Sequence, residues 1–255
     1  MNNNWKVLLY PLLGSLISAV AFILDINITV WLIKIRPVHI IIWLIWLNSI
    51  EIIVRTKLYK ISQFTPISIG LSIGTVVGYM INNGSFIGPI SNIYYIFLSG
   101  ILGSILIGLS LKGRSSRKLK IVKTSNVLPF LWSTLMLFTI VSNRIFNIIN
   151  RDIPNEDRSL IISGIEVHHF IIGIIIICLA QTIIYNFTPP KILVMILLGL
   201  LVIGQSLIAD QLTYIVMFPL NDDAFFSWFS IIGAMFGLCW FVLKMFSINW
   251  SEYKI

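Results

Sequence analysis

The residues best able to bind a metal or transfer a proton lie in the last third of the chain, inside segments that are otherwise apolar. Glu166, His168 and His169 stand close together, and Asp210 and Gln211 follow in the next apolar segment. Imidazole nitrogens and carboxylate oxygens are typical ligands of zinc, iron or manganese. A metal with an open coordination position can activate water or polarise a carbonyl or phosphate group. The sequence therefore predicts that His168, His169 and Asp210 are metal ligands, with Gln211 beside them.

Four acidic or basic residues complete this candidate site. Glu166 would share a helix face with the histidine three residues later. Glu166 and Asp222 are the candidate general bases, and Asp223 lies next to Asp222 in the connection that follows. Arg144, in an earlier apolar segment, could hold an anionic head group or a phosphate, or extend to the membrane interface. Together these residues favour an outward-facing pocket of a metal-dependent hydrolase that acts on a lipid or lipid-linked substrate.

Two other interpretations of the same residues remain open. In the first, His169 and Asp210 hydrogen-bond to each other as a structural clamp, in a subunit or assembly factor of a larger membrane complex. In the second, they belong to a proton relay or cation site of a proton- or cation-coupled secondary transporter. A transporter needs a polar path to the cytoplasm, and the rest of the histidine-bearing segment offers only Cys178, Gln181 and Thr182. Because so few polar residues follow the histidines in this segment, the sequence favours a pocket that is open to one side of the membrane only.

The composition around these residues is that of an integral membrane protein. Of 255 residues, 57% are hydrophobic and only 11% are charged, whereas soluble proteins have about 25% charged residues. A membrane-spanning helix needs about 20 mainly apolar residues. The sequence therefore predicts an all-α, polytopic transmembrane helix bundle in one membrane domain. About eight candidate spans lie at residues 5–24, 37–54, 66–81, 93–111, 127–148, 160–185, 192–218 and 225–246.

Basic residues orient this predicted bundle. They cluster in the stretch 112–123 and in the loop after Arg55, and short cytoplasmic loops collect Lys and Arg. An even number of spans then places both termini in the cytoplasm of a multi-pass cell-membrane protein. Because orientation accounts for the net charge of +8, no nucleic-acid partner is expected. The lipid bilayer is the predicted partner, and the oligomeric state is left open.

The depths of two candidate ligands indicate that they lie at one level. His169 follows Leu160, the start of its predicted span, by nine residues, or about 13 Å. Asp210 precedes Phe218, the end of the next span, by eight residues, or about 12 Å. Since a proline-containing turn joins the two spans, they should be antiparallel neighbours, with both residues near the outer face.

Three short runs carry a resemblance to a known pattern. Glu-Val-His-His-Phe-Ile-Ile-Gly begins at Glu166, Gly-Gln-Ser-Leu-Ile-Ala-Asp-Gln-Leu-Thr at Gly204, and Asp-Asp-Ala-Phe-Phe-Ser at Asp222. Together they resemble a pattern in archaeal and bacterial multi-pass membrane proteins of unassigned function. An acid often follows the aspartate of that pattern, where this chain has Gln211. The resemblance covers residues 166–230 and implies that these positions form one site, without naming its chemistry.

Overall fold

The described part of the chain is mainly helical. A computed structural model describes residues 4–23, 28–30, 33–35, 37–55, 65–81, 127–150, 161–162, 165–187, 189–216 and 225–246. Its seven helices are α1 (Asn4–Ile23), α2 (Pro37–Arg55), α3 (Thr65–Ile81), α4 (Val127–Ile149), α5 (His169–Asn186), α6 (Lys191–Val216) and α7 (Trp228–Phe246). Its four strands are β1 (Ile28–Val30), β2 (Ile33–Ile35), β3 (Ile161–Ile162) and β4 (Ile165–Glu166).

Three of these helices are long and apolar enough to cross a membrane. They are α4, the Lys191–Gln211 part of α6, and α7. Shorter apolar stretches lie in α1, α2, α3 and α5. Large apolar side chains remain exposed on α4 and α7, such as Phe138 at 67% and Trp228 at 78%, which is the surface expected to face lipid. These helices support the predicted membrane bundle, while the predicted span 93–111 lies outside the described residues.

Two antiparallel hairpins interrupt the expected all-helical pattern. β1 pairs with β2 in the connection before α2, and β3 pairs with β4 directly before α5. The helix predicted to start at residue 160 therefore begins at His169. Isoleucines favour extended backbone, and the Ser163-Gly164 dipeptide between them in the sequence is a typical turn signal. Apolarity alone, which predicted a helix here, does not distinguish these two outcomes.

α6 is the central helix of the described bundle. It packs against α2, α4, α5 and α7. Its contact with α5 is close because Gly173 and Gly204 face each other: a Cβ on Gly173 would lie 2.6 Å from the carbonyl oxygen of Gly204. His169 lies near Gln211 and Ile177 near Gly204, so the two helices are antiparallel, as predicted from the turn between them. Small residues of this kind let membrane helices approach closely.

α1 holds one face of α3. A Cβ added to Gly14 or Gly70 would overlap the backbone of the opposite helix. The Ser15 hydroxyl donates to the carbonyl of Gly70 at 3.2 Å, and the Ser18 hydroxyl donates to that of Leu71 at 3.0 Å. Because α3 also packs on α2 and α5, it connects α1 to the rest of the bundle, with a smaller direct contact between α1 and α2.

Candidate functional site

Asp210 pairs with α4 and not with the histidines. Its side chain is fully buried. Arg144 Nε donates to Asp210 Oδ1 at 2.6 Å, and Asn143 Nδ2 donates to Asp210 Oδ2 at 2.6 Å. A hydrogen bond to a charged donor is about twice as strong as a neutral one. Both carboxylate oxygens are therefore engaged by a single turn of α4.

Arg144 extends this contact to α7 and the residues before it. Its Nη2 donates to the Asp210 carbonyl at 3.0 Å and to Ser230 Oγ at 2.9 Å. Its Nη1 donates to the carbonyl of Phe225 at 3.2 Å, and the guanidinium carbon lies 4.7 Å from the centre of the Phe225 ring. We call Asn143, Arg144, Asp210, Phe225 and Ser230 the ion-pair cluster. Because Asp210 neutralises Arg144, the predicted binding of an anion here would require this pair to separate.

Gln211 turns toward α5, although it follows Asp210 directly. Adjacent residues of a helix diverge by about 100°, so the two side chains face different neighbours. Gln211 Oε1 accepts a hydrogen bond from the backbone N–H of Phe170 at 3.1 Å. Its Nε2 lies 3.3 Å from His169 Nδ1. Gln211 thus satisfies one of the N–H groups that the first turn of a helix leaves without a partner.

His168 belongs to an aromatic group beside this contact. Its ring stacks on Phe170 with centroids 6.1 Å apart and meets Tyr79 edge-on at 6.2 Å. Tyr79 is buried and also meets Phe170 edge-on at 5.8 Å. We call these residues, with His169 and Gln211, the imidazole cluster. It joins α3, α5 and α6 at the start of α5.

The structure thus distributes the predicted site over two clusters. Asp210 and Arg144 lie together in one, and His168, His169 and Gln211 lie together in the other. The expectation that His169 and Asp210 stand at one level agrees with the contact between His169 and the residue next to Asp210. The structural clamp predicted between His169 and Asp210 is replaced by two separate contacts, one to α5 and one to α4.

The remaining predicted site residues are Glu166, Asp222 and Asp223. Glu166 lies in β4, so its predicted position on a shared helix face is wrong, and its side chain is outside the described residues. Asp222 and Asp223 are outside them entirely. In the part of the chain that the structure describes, no group of three His, Cys, Asp or Glu side chains could hold a metal ion. The metal site therefore stays a prediction.

A row of buried hydroxyl side chains runs along α3 from the imidazole cluster. Its members alternate in spacing by three and four residues, which places them on one helix face. They are Thr65, Ser68, Ser72, Thr75 and Tyr79, none more than 1% exposed. We call this row the α3 seam. It extends over 14 residues, or about 21 Å, and the repeat of hydroxyl residues in an apolar segment is the sequence signal that a search for ionisable groups passes over.

Three buried amides lie on α2, α5 and α6, of which α2 and α5 pack against α3. Asn48 on α2 is 3% exposed, and Gln181 on α5 and Gln205 on α6 are fully buried. Within the described part of the chain, neither polar atom of any of these amides has a hydrogen-bond partner, and the same holds for the hydroxyls of Thr65 and Ser68. A buried polar group left unbonded costs about 1–3 kcal/mol, and lipid cannot supply the bond. These side chains are therefore suited to bind a polar molecule inside the bundle.

The amides stand at successive depths in one group of helices. α2 packs against α3, α5 and α6, and α5 packs against α3 and α6. Along their helices, Gln205 lies about 9 Å and Gln181 about 18 Å from the imidazole cluster. The Trp46 indole donates to the carbonyl of Gln205 at 3.2 Å, which brings α2 to that level, two residues before Asn48. Polar groups thus continue from the imidazole cluster toward the opposite end of α3.

Comparison with known proteins assigns no role to either cluster. The resemblance of residues 166–230 to a family of membrane proteins stays a prediction. The functional conclusion rests on the residues of this chain. No protein-family model, curated protein or solved structure matches it.

Proposed function

We propose that the chain is a multi-pass protein of the cell membrane, with about eight spans and both termini in the cytoplasm, that works as a secondary transporter. The proposal is that a small polar solute crosses along the α3 seam, coupled to a proton or cation. The observation that carries this proposal is the set of buried amides and hydroxyls without partners, on four helices that pack together.

The length of the polar region favours transport over one-sided catalysis. An enzyme with an outward-facing pocket needs polar groups near one face of the membrane. Here they extend from Tyr79 to Thr65, about 21 Å of a hydrocarbon core that is about 30 Å thick. The side chains of α5 alone offer few polar groups along this path. We place the hydroxyl groups of α3, which packs against α5, on its opposite side. The two helices together supply the polar groups of a path that neither sequence segment indicates by itself.

The two clusters have different roles in this proposal. The imidazole cluster lies at one end of the seam, and His side chains inside membranes commonly take part in proton coupling. The ion-pair cluster holds α4 against α6 and the start of α7, on another face of α6. We assign it to the framework against which the seam helices move.

Flux measurements on the purified chain in liposomes test this proposal. An internal pH-sensitive dye reports proton movement when candidate solutes are added outside. We expect Gln181→Leu/Gln205→Leu to lower the rate about tenfold or more, since two lost hydrogen-bonding groups cost on the order of 2 kcal/mol. Thr139→Val is the matched control, because the Thr139 hydroxyl donates to Leu135 in α4 at 2.9 Å. A double variant as fast as this control would contradict the proposal.

The metal-dependent hydrolase of a lipid or lipid-linked substrate is a second candidate. The observation in its favour is that His168 and His169 are both partly exposed at one end of α5. Metal analysis of the detergent-purified chain, beside His168→Ala/His169→Ala, tests it. About one equivalent of zinc, iron or manganese that is lost in the variant would support a metal site. Folded protein that is active without metal would exclude it.

A further inference from the structure

Asn48, Gln181 and Gln205 have a property that restricts what they can bind. A side-chain amide carries an NH2 group with two donors and a carbonyl oxygen that accepts. In each of the three, both the nitrogen and the oxygen lack a partner among the described residues. All three side chains are at least nine-tenths buried. Each of these amides therefore offers both donors and an acceptor, and a ligand bound at any one of them must satisfy both.

An ion meets only half of this requirement. A bare cation would satisfy the carbonyl oxygen of an amide but leave its NH2 group without an acceptor, and an anion would do the reverse. Of the described side chains of α2, α3, α5 and α6, three can carry a charge near neutral pH: Asp210, Lys191 and His169, which stands twelve residues before Gln181 on α5. Asp210 is paired with Arg144, and Lys191 is exposed at the start of α6. An uncompensated charge inside a bundle is strongly unfavourable.

We infer that Asn48, Gln181 and Gln205 bind an uncharged solute that both donates and accepts hydrogen bonds, such as a short polyol or a small amide. This inference rests on the proposed transport along the α3 seam and names the class of its solute. The hydroxyls of Thr65 and Ser68, which also lack partners, supply further groups of the same dual character. Any proton or cation that drives transport then moves apart from this solute.

Thiol modification distinguishes neutral from charged reagents without knowledge of the natural solute. Ser68→Cys is introduced into a Cys178→Ala/Cys239→Ala background, because the described part of the chain contains these two cysteines. The full-length protein in liposomes is treated with hydroxyethyl, trimethylammonioethyl or sulfonatoethyl methanethiosulfonate, which are neutral, cationic and anionic. Only a thiolate in contact with water reacts, and the mass of the intact protein gives the rate.

Ser206→Cys is the matched control. Ser206 is as buried as Ser68, but its hydroxyl donates to the Val202 carbonyl of its own helix at 2.7 Å. Gly204, two residues before Ser206, faces α5. Because two residues of a helix correspond to a rotation of about 200°, Ser206 points away from α5 and from the seam. Thr75→Cys is a second probe on the seam, should Ser68→Cys disturb folding. We expect the neutral reagent to modify either probe about tenfold faster than the charged reagents, and none to modify the control.

Each of the other outcomes would contradict either the neutral solute, the water-filled path or the specific site. Equal rates for all three reagents on the probe would refute the neutral solute while leaving a water-filled path, and hence transport, in place. A probe that no reagent modifies would remove the path itself, and both proposals would fail. A control modified as fast as the probe would show general opening of the bundle, which also contradicts a specific site.

Glycerol and urea then test the solute class directly. Light scattering records the osmotic swelling of liposomes that contain the protein. We expect both solutes to enter faster than into protein-free liposomes, and Gln181→Leu/Gln205→Leu to remove the difference. Entry of sodium or potassium in place of both neutral probes would overturn the inference without affecting the proposed transport.

Discussion

Replacement of Arg144 by methionine should destabilise the bundle strongly. Asp210 is fully buried and would lose an ion pair of 2.6 Å, keeping only the bond from Asn143. Removal of one partner of a buried ion pair costs about 3–5 kcal/mol. Since the Arg144 side chain is 14% exposed, the pair is not fully enclosed, and we expect a loss at the lower end of this range, about 3 kcal/mol.

The same reasoning predicts that a second substitution partly reverses this loss. Asp210→Asn removes the buried negative charge and leaves Arg144 unpaired, so it should also be destabilising alone. In Arg144→Met/Asp210→Asn neither charge remains, and the new amide can still accept the bond from Asn143. The loss in the double variant should be smaller than the sum of the single losses by about 2 kcal/mol.

Unfolding in mixed micelles of increasing dodecyl sulfate content measures these free energies, with the eight tryptophans as the fluorescent reporter. Asn150→Ala is the control directly after α4, because its side chain donates only to the carbonyl of Phe146, one turn earlier, at 2.8 Å; we expect a change below about 0.5 kcal/mol. An Arg144→Met variant as stable as this control, or a cycle whose losses simply add, would refute the ion-pair argument.

Gly173→Ala should destabilise by about 1–3 kcal/mol in the same titration, because its Cβ would meet a carbonyl oxygen of α6 at 2.6 Å. Gly199→Ala should change stability by less than about 0.5 kcal/mol, since its Cβ first meets a tryptophan ring at 3.6 Å; an equal loss in both would contradict the packing argument. Gln211→Leu should lower stability by about 1 kcal/mol and speed hydrogen exchange at the Phe170 amide; unchanged exchange would count against that bond. Gln181→Leu should leave stability unchanged or raised while flux falls, because it removes an unbonded amide; a loss of stability would indicate that the amide has a structural partner.

The sequence predicted the level of the candidate site residues but not the neighbours of their side chains. Residue counting placed His169 and Asp210 at the same level of antiparallel helices, and the contact of His169 with Gln211 agrees with that level. The helical rise counted from residue 160 was wrong, because α5 begins at His169 and a hairpin precedes it. The counting could not show that Asp210 faces α4, because the direction of a side chain matters only once the neighbours of its helix are known. Arg144, predicted to bind an anion or reach the interface, proved to be the partner of Asp210.

The hydroxyl residues of the α3 seam can be found in the sequence, but their spacing alone does not indicate a function. Hydroxyl residues in an apolar helix commonly bond to their own backbone, as Ser72 and Thr75 do. Their proposed role in transport depends on Gln181 and Gln205, which come from distant parts of the chain. Neither the row nor the amides alone would indicate a path.

The amino-acid sequence alone indicated a membrane environment and a helical class, and three described helices are long and apolar enough to cross a membrane. Long apolar segments with few charges cannot form a soluble surface, and in lipid their backbone must satisfy itself as helices. The tertiary structure decided which polar groups meet. A helix presents residues at about 100° intervals, so the order and rotation of the packed helices determined that Asp210 would pair with Arg144 while Gln211, one residue later, turned to His169 and Phe170.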